Sequence, residues 1–375
     1  MKYLNSTKKI LILNLGSSSV KGSIYEFKNR KPILVEQFSK KLAEIKNIRL
    51  FLNNLINLQH KINITVFRVV HGGRNYPSVQ ILTKNILAGI KEGEKLAPIH
   101  NQIMLNWYKV IKTQVQKNMK CIACFDSSFF YDLPEVSKTY PIPNNLSKKY
   151  GIQKLGFHGF AHQSMLRQFE KFFKNKKSIN RVITLQLGGG SSIAAFLNGK
   201  PIDTSMGFSP LDGLMMSTRS GSIDPGILIY LLKSGFSVST IETMLNFDSG
   251  IKGISNITDY QNLIQHKSKK SQLAVDLYCR SIAKFLGAYI TLLGGVDGIV
   301  FGGGIGENCH ITQKKIMQYF QYLGVDLKVN LEKNDKSPVH IISTSQSQVY
   351  VAVIKPDEES EMLNAVKSLV ISNML

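Results

Sequence analysis

The sequence predicts an α/β protein made of two duplicated domains, and three observations predict it. The chain has 375 residues, more than a single hydrophobic core usually organises. Its first half alternates strand-like and helix-like apolar patterns. One local device also occurs twice: an apolar strand, a tip of glycine and serine, then a second apolar strand. It stands around Gly16-Ser17-Ser18-Ser19 and again around Gly188-Gly189-Gly190-Ser191-Ser192.

The elements follow in chain order. Residues 10–15 and 22–27 are the strands of the first device. Residues 42–58 carry apolar side chains at three- and four-residue spacing and read as a helix. Residues 64–70 read as a strand ending in His71-Gly72-Gly73, 99–115 as a helix, and 120–125 as a strand ending at Asp126. The segment 127–150 holds Pro134, Pro141 and Pro143 and reads as a connection, with a domain boundary at 149/150. Residues 159–173 are helical, 181–187 and 193–197 form the second device, and Asn198-Gly199 is a hairpin turn into a strand at 201–205. Helices are expected at 227–232, 238–245 and 271–293. A strand at 298–301 runs into the glycine-rich stretch 302–308 and a helix to Tyr322. A strand at 349–354 and a helix from Glu358 close the pattern.

Hydrophobic content of 43% and charged content of 19% suit a globular chain. No apolar run reaches the ~18 residues of a membrane span, and the first apolar block, 10–15, is too short for a signal-peptide core and has no small-residue cleavage site after it, so a cytoplasmic protein without membrane attachment is expected. The net charge of +22 comes from scattered lysines without interleaved aromatics, so nucleic acid is not an expected partner. The pair Cys121 and Cys124 has no second pair to complete a zinc site. All four cysteines are read as reduced thiols.

Glycine-rich tips follow apolar strands three times, at 15–19, 187–192 and 301–308. Backbone N–H groups in such turns bind phosphate oxygens. The chain lacks both the Walker pattern and a complete dinucleotide fingerprint after its first strand. Polar side chains gather at strand ends: Asn14, Ser17, Ser19, Lys21, Arg68, His71, His100, Asp126, His158 and His162. Arg219 lies in 207–225 among small residues, where it is a ligand for phosphate or carboxylate or else a solvated loop cation.

The segments LNLGSSSVKGSIY (13–25), RVVHGG (68–73), LAPIHN (96–101), FDSSF (125–129), YGIQKLGFHGFAH (150–162), NGKPIDTSMGFSPLDGLMMSTRSGSIDP (198–225), GGIGEN (303–308) and PDEE (356–359) resemble the acetate/propionate kinase family in its order. That family belongs to the superfamily of sugar kinases, Hsp70 and actin. The resemblance implies two ribonuclease H-like (actin-like ATPase) domains with mixed sheets and an interdomain active-site cleft, the first at 1–149 with helix 359–375 packed on it and the second at 150–358. It implies reversible phosphoryl transfer from ATP to acetate, giving acetyl phosphate and ADP, with Mg²⁺ or Mn²⁺ and a homodimer.

By the same resemblance Asp126, His158, Arg219 and Arg68 are catalytic. Arg68, Val70, Ile99, Phe157 and Pro210 take the acid, and Val70 favours acetate over propionate. Ser17, Ser19, Lys21, Gln186, Leu187, Gly188, Gly189, Gly190, Asp259, Tyr260, Gln261, Gly304, Ile305, Gly306, Glu307 and Asn308 meet ATP. Asn14 and Glu358 hold the metal. The chain departs from the family pattern at Gln186 and Gly189, where histidine and asparagine are usual, at Gln261 in place of arginine, and at Phe130 and Phe160. Two other readings stay open: a propionate- or butyrate-type kinase, and a catalytically weak nucleotide-binding protein with a regulatory role.

Overall fold

The structure is a computed structural model that describes residues 8–16, 19–29, 31–59, 61–72, 79–93, 98–174, 178–328 and 337–371. The chain divides into two compact units, Met1–Tyr131 with Asp357–Leu375, and Asp132–Pro356. The division falls earlier than the boundary expected at 149/150. The proline-bearing connection is bonded into the second unit: Ser137 Oγ donates to the Ile202 carbonyl at 2.7 Å, and the Phe208 N–H donates to Tyr140 Oη at 2.9 Å.

The described part of the first unit holds a six-stranded sheet. Its strands are β1 (Lys8–Leu15), β2 (Ser19–Lys28), β3 (Lys31–Lys41), β4 (Ile64–Val69), β5 (Gln80–Ile81) and β6 (Lys120–Phe125), in the order β3-β2-β1-β4-β6-β5. The β1–β4 and β4–β6 pairs are parallel; the others are antiparallel. β1 is apolar almost throughout because both faces are covered. Leu11, Leu13, Phe67, Trp107 and Phe125 form the centre of this core.

The second unit repeats the design with β7 (Arg181–Leu187), β8 (Ser191–Leu197), β9 (Lys200–Thr204), β10 (Gly298–Gly302), β11 (Val339–Ile341) and β12 (Tyr350–Ile354), in the order β9-β8-β7-β10-β12-β11. Strand for strand this is the order of the first sheet. The senses agree too: β7–β10 and β10–β12 are parallel and the remaining pairs antiparallel. The hairpin turn has both central residues at positive φ, Asn198 at 51° and Gly199 at 76°. The helix Lys269–Leu293, capped by Ser268, packs the core of this unit through Ala274, Tyr278, Ile282 and Leu286. Among the described residues no helix is long and apolar enough to cross a membrane.

Two expectations are corrected, and one strand lies outside any of them. The helix over 42–58 is broken: a short turn at Leu42–Glu44 precedes the helix Ile48–Asn53, restarted by Asn47, whose side chain accepts from Leu50 N–H, and a wider turn follows. β3 carries no alternating pattern because much of it is exposed on both faces; it forms by backbone pairing to β2. The stretch 303–308 is itself a helix, Gly303–Asn308, entered through Gly303 at φ 77°. A Cβ there would lie 2.5 Å from the Leu187 carbonyl oxygen, so only glycine fits.

His71, just after β4, is buried, and burial pushes its pKa down to about 4. Asn101 braces the same turn, donating to the carbonyls of His71 (2.7 Å) and Ile90 (3.0 Å). The native chain therefore refuses a proton that the unfolded chain accepts below about pH 6.5. Stability falls as pH drops from about 6.5 to about 4 and levels off below, by up to ~3 kcal/mol. Urea unfolding across this range should show that slope in the parent and a flatter one in His71→Gln.

Candidate active site

In the first unit the parallel strands β1, β4 and β6 end at one edge of the sheet, which brings Asn14, Arg68 and Asp126 together. Arg68 is the hub. Its Nη2 donates to Asp126 Oδ2 at 2.9 Å, and its Nη1 lies 3.1 Å from Asn14 Oδ1 and 3.2 Å from Glu358 Oε1. Asn14 Nδ2 donates to Glu358 Oε2 (2.6 Å) and Glu359 Oε1 (3.2 Å). Burial works against the Arg68 charge, but Asp126 and Glu358 outweigh it and hold the guanidinium protonated. Burial, followed by repulsion from Glu358, raises the Glu359 pKa, while Asn14 and Lys21 pull it down. Negative charge is thus in excess: three carboxylates face one guanidinium.

That excess is the chemistry a hard divalent cation accepts. Mg²⁺ takes oxygen ligands, keeps several waters, and needs only one or two carboxylates from the protein. Among the described residues no group of three or more acids or histidines is arranged to cage a metal directly. The donor set therefore fits a hydrated ion held by Glu358 and its neighbours. Asn14 directs its oxygen to Arg68.

In the second unit the glycine tip between β7 and β8 is the centre. A Cβ placed on Gly190 would lie 3.4–3.5 Å from the His158 ring and 3.7 Å from Arg219 Nη1, so this glycine keeps open the space between an imidazole and a guanidinium. The loop bearing Arg219 is ordered. Ser217 N–H donates to the Gly189 carbonyl (3.3 Å), and Met216 N–H to the carbonyl of Arg219 itself (3.1 Å). Arg219 Nη1 donates to the Pro210 carbonyl at 3.1 Å. Burial lowers the pKa of Arg219, and among the described residues no carboxylate pairs with it. His158 stands before the helix Gly159–Phe173 at φ 56°, and its side chain bonds Ser192 instead of capping that helix.

The two glycine stretches of this unit, 187–192 and 301–308, meet. Gln186 is in register with Gly302, and Gly188 lies beside Gly304. Among the described residues Gln186 Oε1 is a buried acceptor without a hydrogen-bond partner. A Cβ added at Gly189 or at Gly304 would meet nothing within 4 Å. Gln313 and Asn308 fasten the helix Gly303–Asn308 through the carbonyls of Gly306 and Gly304.

Other expected positions are placed differently. Leu187, Tyr260 and Ile305 have core side chains, so only their backbone could face a ligand; Tyr260 Oη bonds Thr312 at 2.8 Å. Asp259 caps the helix Tyr260–Gln265 by accepting from Asn262 N–H, and Gln261 is exposed on that helix. Glu307 is half-buried. Ser19 and Lys21 lie on β2, Lys21 in register with Asn14. Val70 and Phe157 are buried, each in its own unit. Ser17 and the side chains of Ile99 and His100 lie outside the described residues. Glu359, Ser192 and Thr184 were not expected; only the adjacency of Glu359 to Glu358, and of Ser192 to the glycines, marked them in the sequence.

Removing Asp126 would take from the largely buried Arg68 the closer of its two paired carboxylates and the acceptor of its Nη2 donor. Asp126→Ala should destabilise the first unit by about 3–5 kcal/mol, read as a lower midpoint in urea, whereas Arg219→Ala should leave that midpoint nearly unchanged.

Comparison with known proteins agrees with this arrangement. The Acetokinase family model matches residues 35–364. A protein named acetate kinase from Rippkaea orientalis is 38% identical over 394 residues, covering 94% of this chain and 96% of the relative. Another, from Buchnera aphidicola subsp. Cinara cedri, is 36% identical, covering 98% and 99%. Among solved structures, Porphyromonas gingivalis acetate kinase matches with a TM-score of 0.81 at 29% identity, covering 97% of this chain and 100% of that one. A propionate kinase from Francisella tularensis matches with a TM-score of 0.81 at 32% identity, covering 96% and 98%. With a family match over most of its length and relatives this similar end to end, the chain belongs to the acetokinase family.

Proposed function

We propose that this chain transfers the terminal phosphoryl group of ATP to the carboxylate of acetate, reversibly, giving acetyl phosphate and ADP. The observation that carries the reading is Arg219: a half-buried cation without a carboxylate partner, beside His158, at a glycine tip kept free of side chains. An anion is the partner such a cation lacks. The acid's oxygen forms the new bond to phosphorus as the bond to the ADP oxygen breaks. Acetate is ionised at neutral pH, so no general base is required. Arg219 and His158 donate to the phosphoryl oxygens as charge redistributes.

In the same reading Asn14 and Glu358, with Asp126 close by, hold Mg²⁺, which when bound neutralises phosphate charge. Arg68 meets the acid's carboxylate, since a cation taken up by Asp126 and Glu358 would free its N–H donors. Val70, Ile99, Phe157 and Pro210 are assigned to the acid's methyl group by the family resemblance. Ser17, Ser19, Lys21, the tip 186–190, Asp259, Tyr260, Gln261 and 304–308 serve the nucleotide. A cytoplasmic location follows from the need for ATP and agrees with four free cysteines.

Coupled assay of acyl phosphate from ATP, Mg²⁺ and acetate, propionate or butyrate tests the reading. Acetate should have the highest kcat/KM and propionate a lower one, a methylene being worth about 1–3 kcal/mol. Arg219→Ala should lower kcat by at least about a hundredfold. Nucleotide binding without product from any acid would overturn the proposal.

The helix Pro225–Lys233 buries none of its residues, although it reads PGILIYLLK. Ile227, Ile229, Tyr230 and Leu232, with Phe236 and Val238 next to them, expose an apolar face that a monomer rarely keeps. We propose that a second copy covers it, as a homodimer. Light scattering should give twice the chain mass for the parent and the single mass for Ile229→Glu/Leu232→Glu.

A further inference from the structure

The second unit contains a line of hydrogen bonds that ends on His158. Thr184 Oγ1 meets His162 Nδ1 at 2.6 Å, His162 Nε2 meets Ser192 Oγ at 2.7 Å, and Ser192 Oγ meets His158 Nδ1 at 2.9 Å. Thr184, His162 and Ser192 are all fully buried. The line starts on the central strand β7, passes through the first turn of the helix Gly159–Phe173, and returns to β8 at the glycine tip. The far edge of the His158 ring then faces Gly190, with Arg219 alongside. His158 also holds a left-handed backbone, which a non-glycine residue adopts at a cost.

The protons in this line have one direction. A hydroxyl has a single proton to give. Among the described residues the buried Thr184 Oγ1 has no hydrogen-bond partner except His162 Nδ1, so its proton is satisfied only by donation there. Nδ1 of a neutral His162 is then the lone-pair nitrogen, and Nε2–H donates to Ser192 Oγ. The Ser192 hydroxyl meets only the two histidines, so its proton passes to His158 Nδ1. A neutral His158 must therefore carry its hydrogen on Nε2, the edge towards Gly190 and Arg219. The opposite direction would strand the Thr184 proton in the core.

We infer that Thr184, His162 and Ser192 are positioning residues that set the tautomer of His158, so that the neutral ring carries its hydrogen on Nε2, the edge towards Gly190 and Arg219. The anion this donor meets rests on the phosphoryl-transfer reading; the tautomer does not. A neutral donor stabilises an anionic oxygen without placing a second cation beside Arg219.

The test is long-range ¹H–¹⁵N correlation on the full chain labelled with ¹⁵N-histidine at neutral pH, with His158→Ala assigning the signals. In the parent, Nε2 of His158 should be the protonated nitrogen and Nδ1 the lone-pair one. Thr184→Val keeps the shape and removes the hydroxyl, and should give a mixture of tautomers; Thr184→Ser keeps the hydroxyl and should retain the parent pattern. With ATP and acetate, Thr184→Val should lower kcat about five- to tenfold, the effect of one hydrogen bond, with either KM changed less than about twofold, and Thr184→Ser should keep most of kcat. A packing role predicts the reverse order, since serine leaves a void that valine fills. A protonated Nδ1 on neutral His158 in the parent overturns the inference, and that measurement needs no variant of Thr184. Transfer activity with the wrong tautomer sinks this inference alone; the expected tautomer without transfer activity sinks the functional reading alone.

Discussion

A guanidinium can remain buried only where carboxylates meet it, and Arg68 is where the first unit satisfies that condition. The requirement ties together parts of the chain that local propensity would leave separate. β1 contributes Asn14, β4 the arginine itself, β6 leads into Asp126, and the helix Glu358–Ile371 brings two glutamates. Each partner is bonded to the next, so the group behaves as one network whose pieces cannot be removed independently. Arg219 is the opposite case. Its bonded neighbours are a carbonyl and a sulfur, and among the described residues no carboxylate pairs with it.

The two sheets share one strand order and one set of directions, yet they carry different chemistry at corresponding places. In both, the loops after the parallel strands collect at one edge, where open α/β sheets bind ligands. The first unit fills that edge with carboxylates and surplus negative charge. The second fills it with glycines, a histidine and a cation that no carboxylate pairs among the described residues. Duplication supplied the frame, and the side chains at the strand ends divided the work between a site suited to a metal and a site suited to an anion.

Most of the frame was legible because it rests on local signals. Runs such as ILILNL and VITLQL, each closed by glycines, mark strands buried on both faces, and Asn198-Gly199 marks a type I′ turn. β3 was not legible, since an exposed edge strand has no buried face to impose a period. The helix Gly303–Asn308 was hidden by glycines that read as a turn, whereas one of them, Gly303, is needed for close approach to Leu187. The site was legible as a set of residues and not as a set of bonds. Arg68 and Asp126 could be named from motifs, but their pairing depends on strand register. Thr184 carries no mark in the sequence, because its importance comes from having a single place to send its proton.

The helix Glu358–Ile371 belongs to the first unit, although all of Asp132–Pro356 intervenes in the chain. During synthesis, β1, β4 and β6 therefore emerge long before the glutamates that complete their charge network. Until then Arg68 has Asp126 and Asn14 alone. The Arg68 network can be complete only after the whole of the second unit has been made. Glu358 and Glu359 are thus the last members of the Arg68 network to be made.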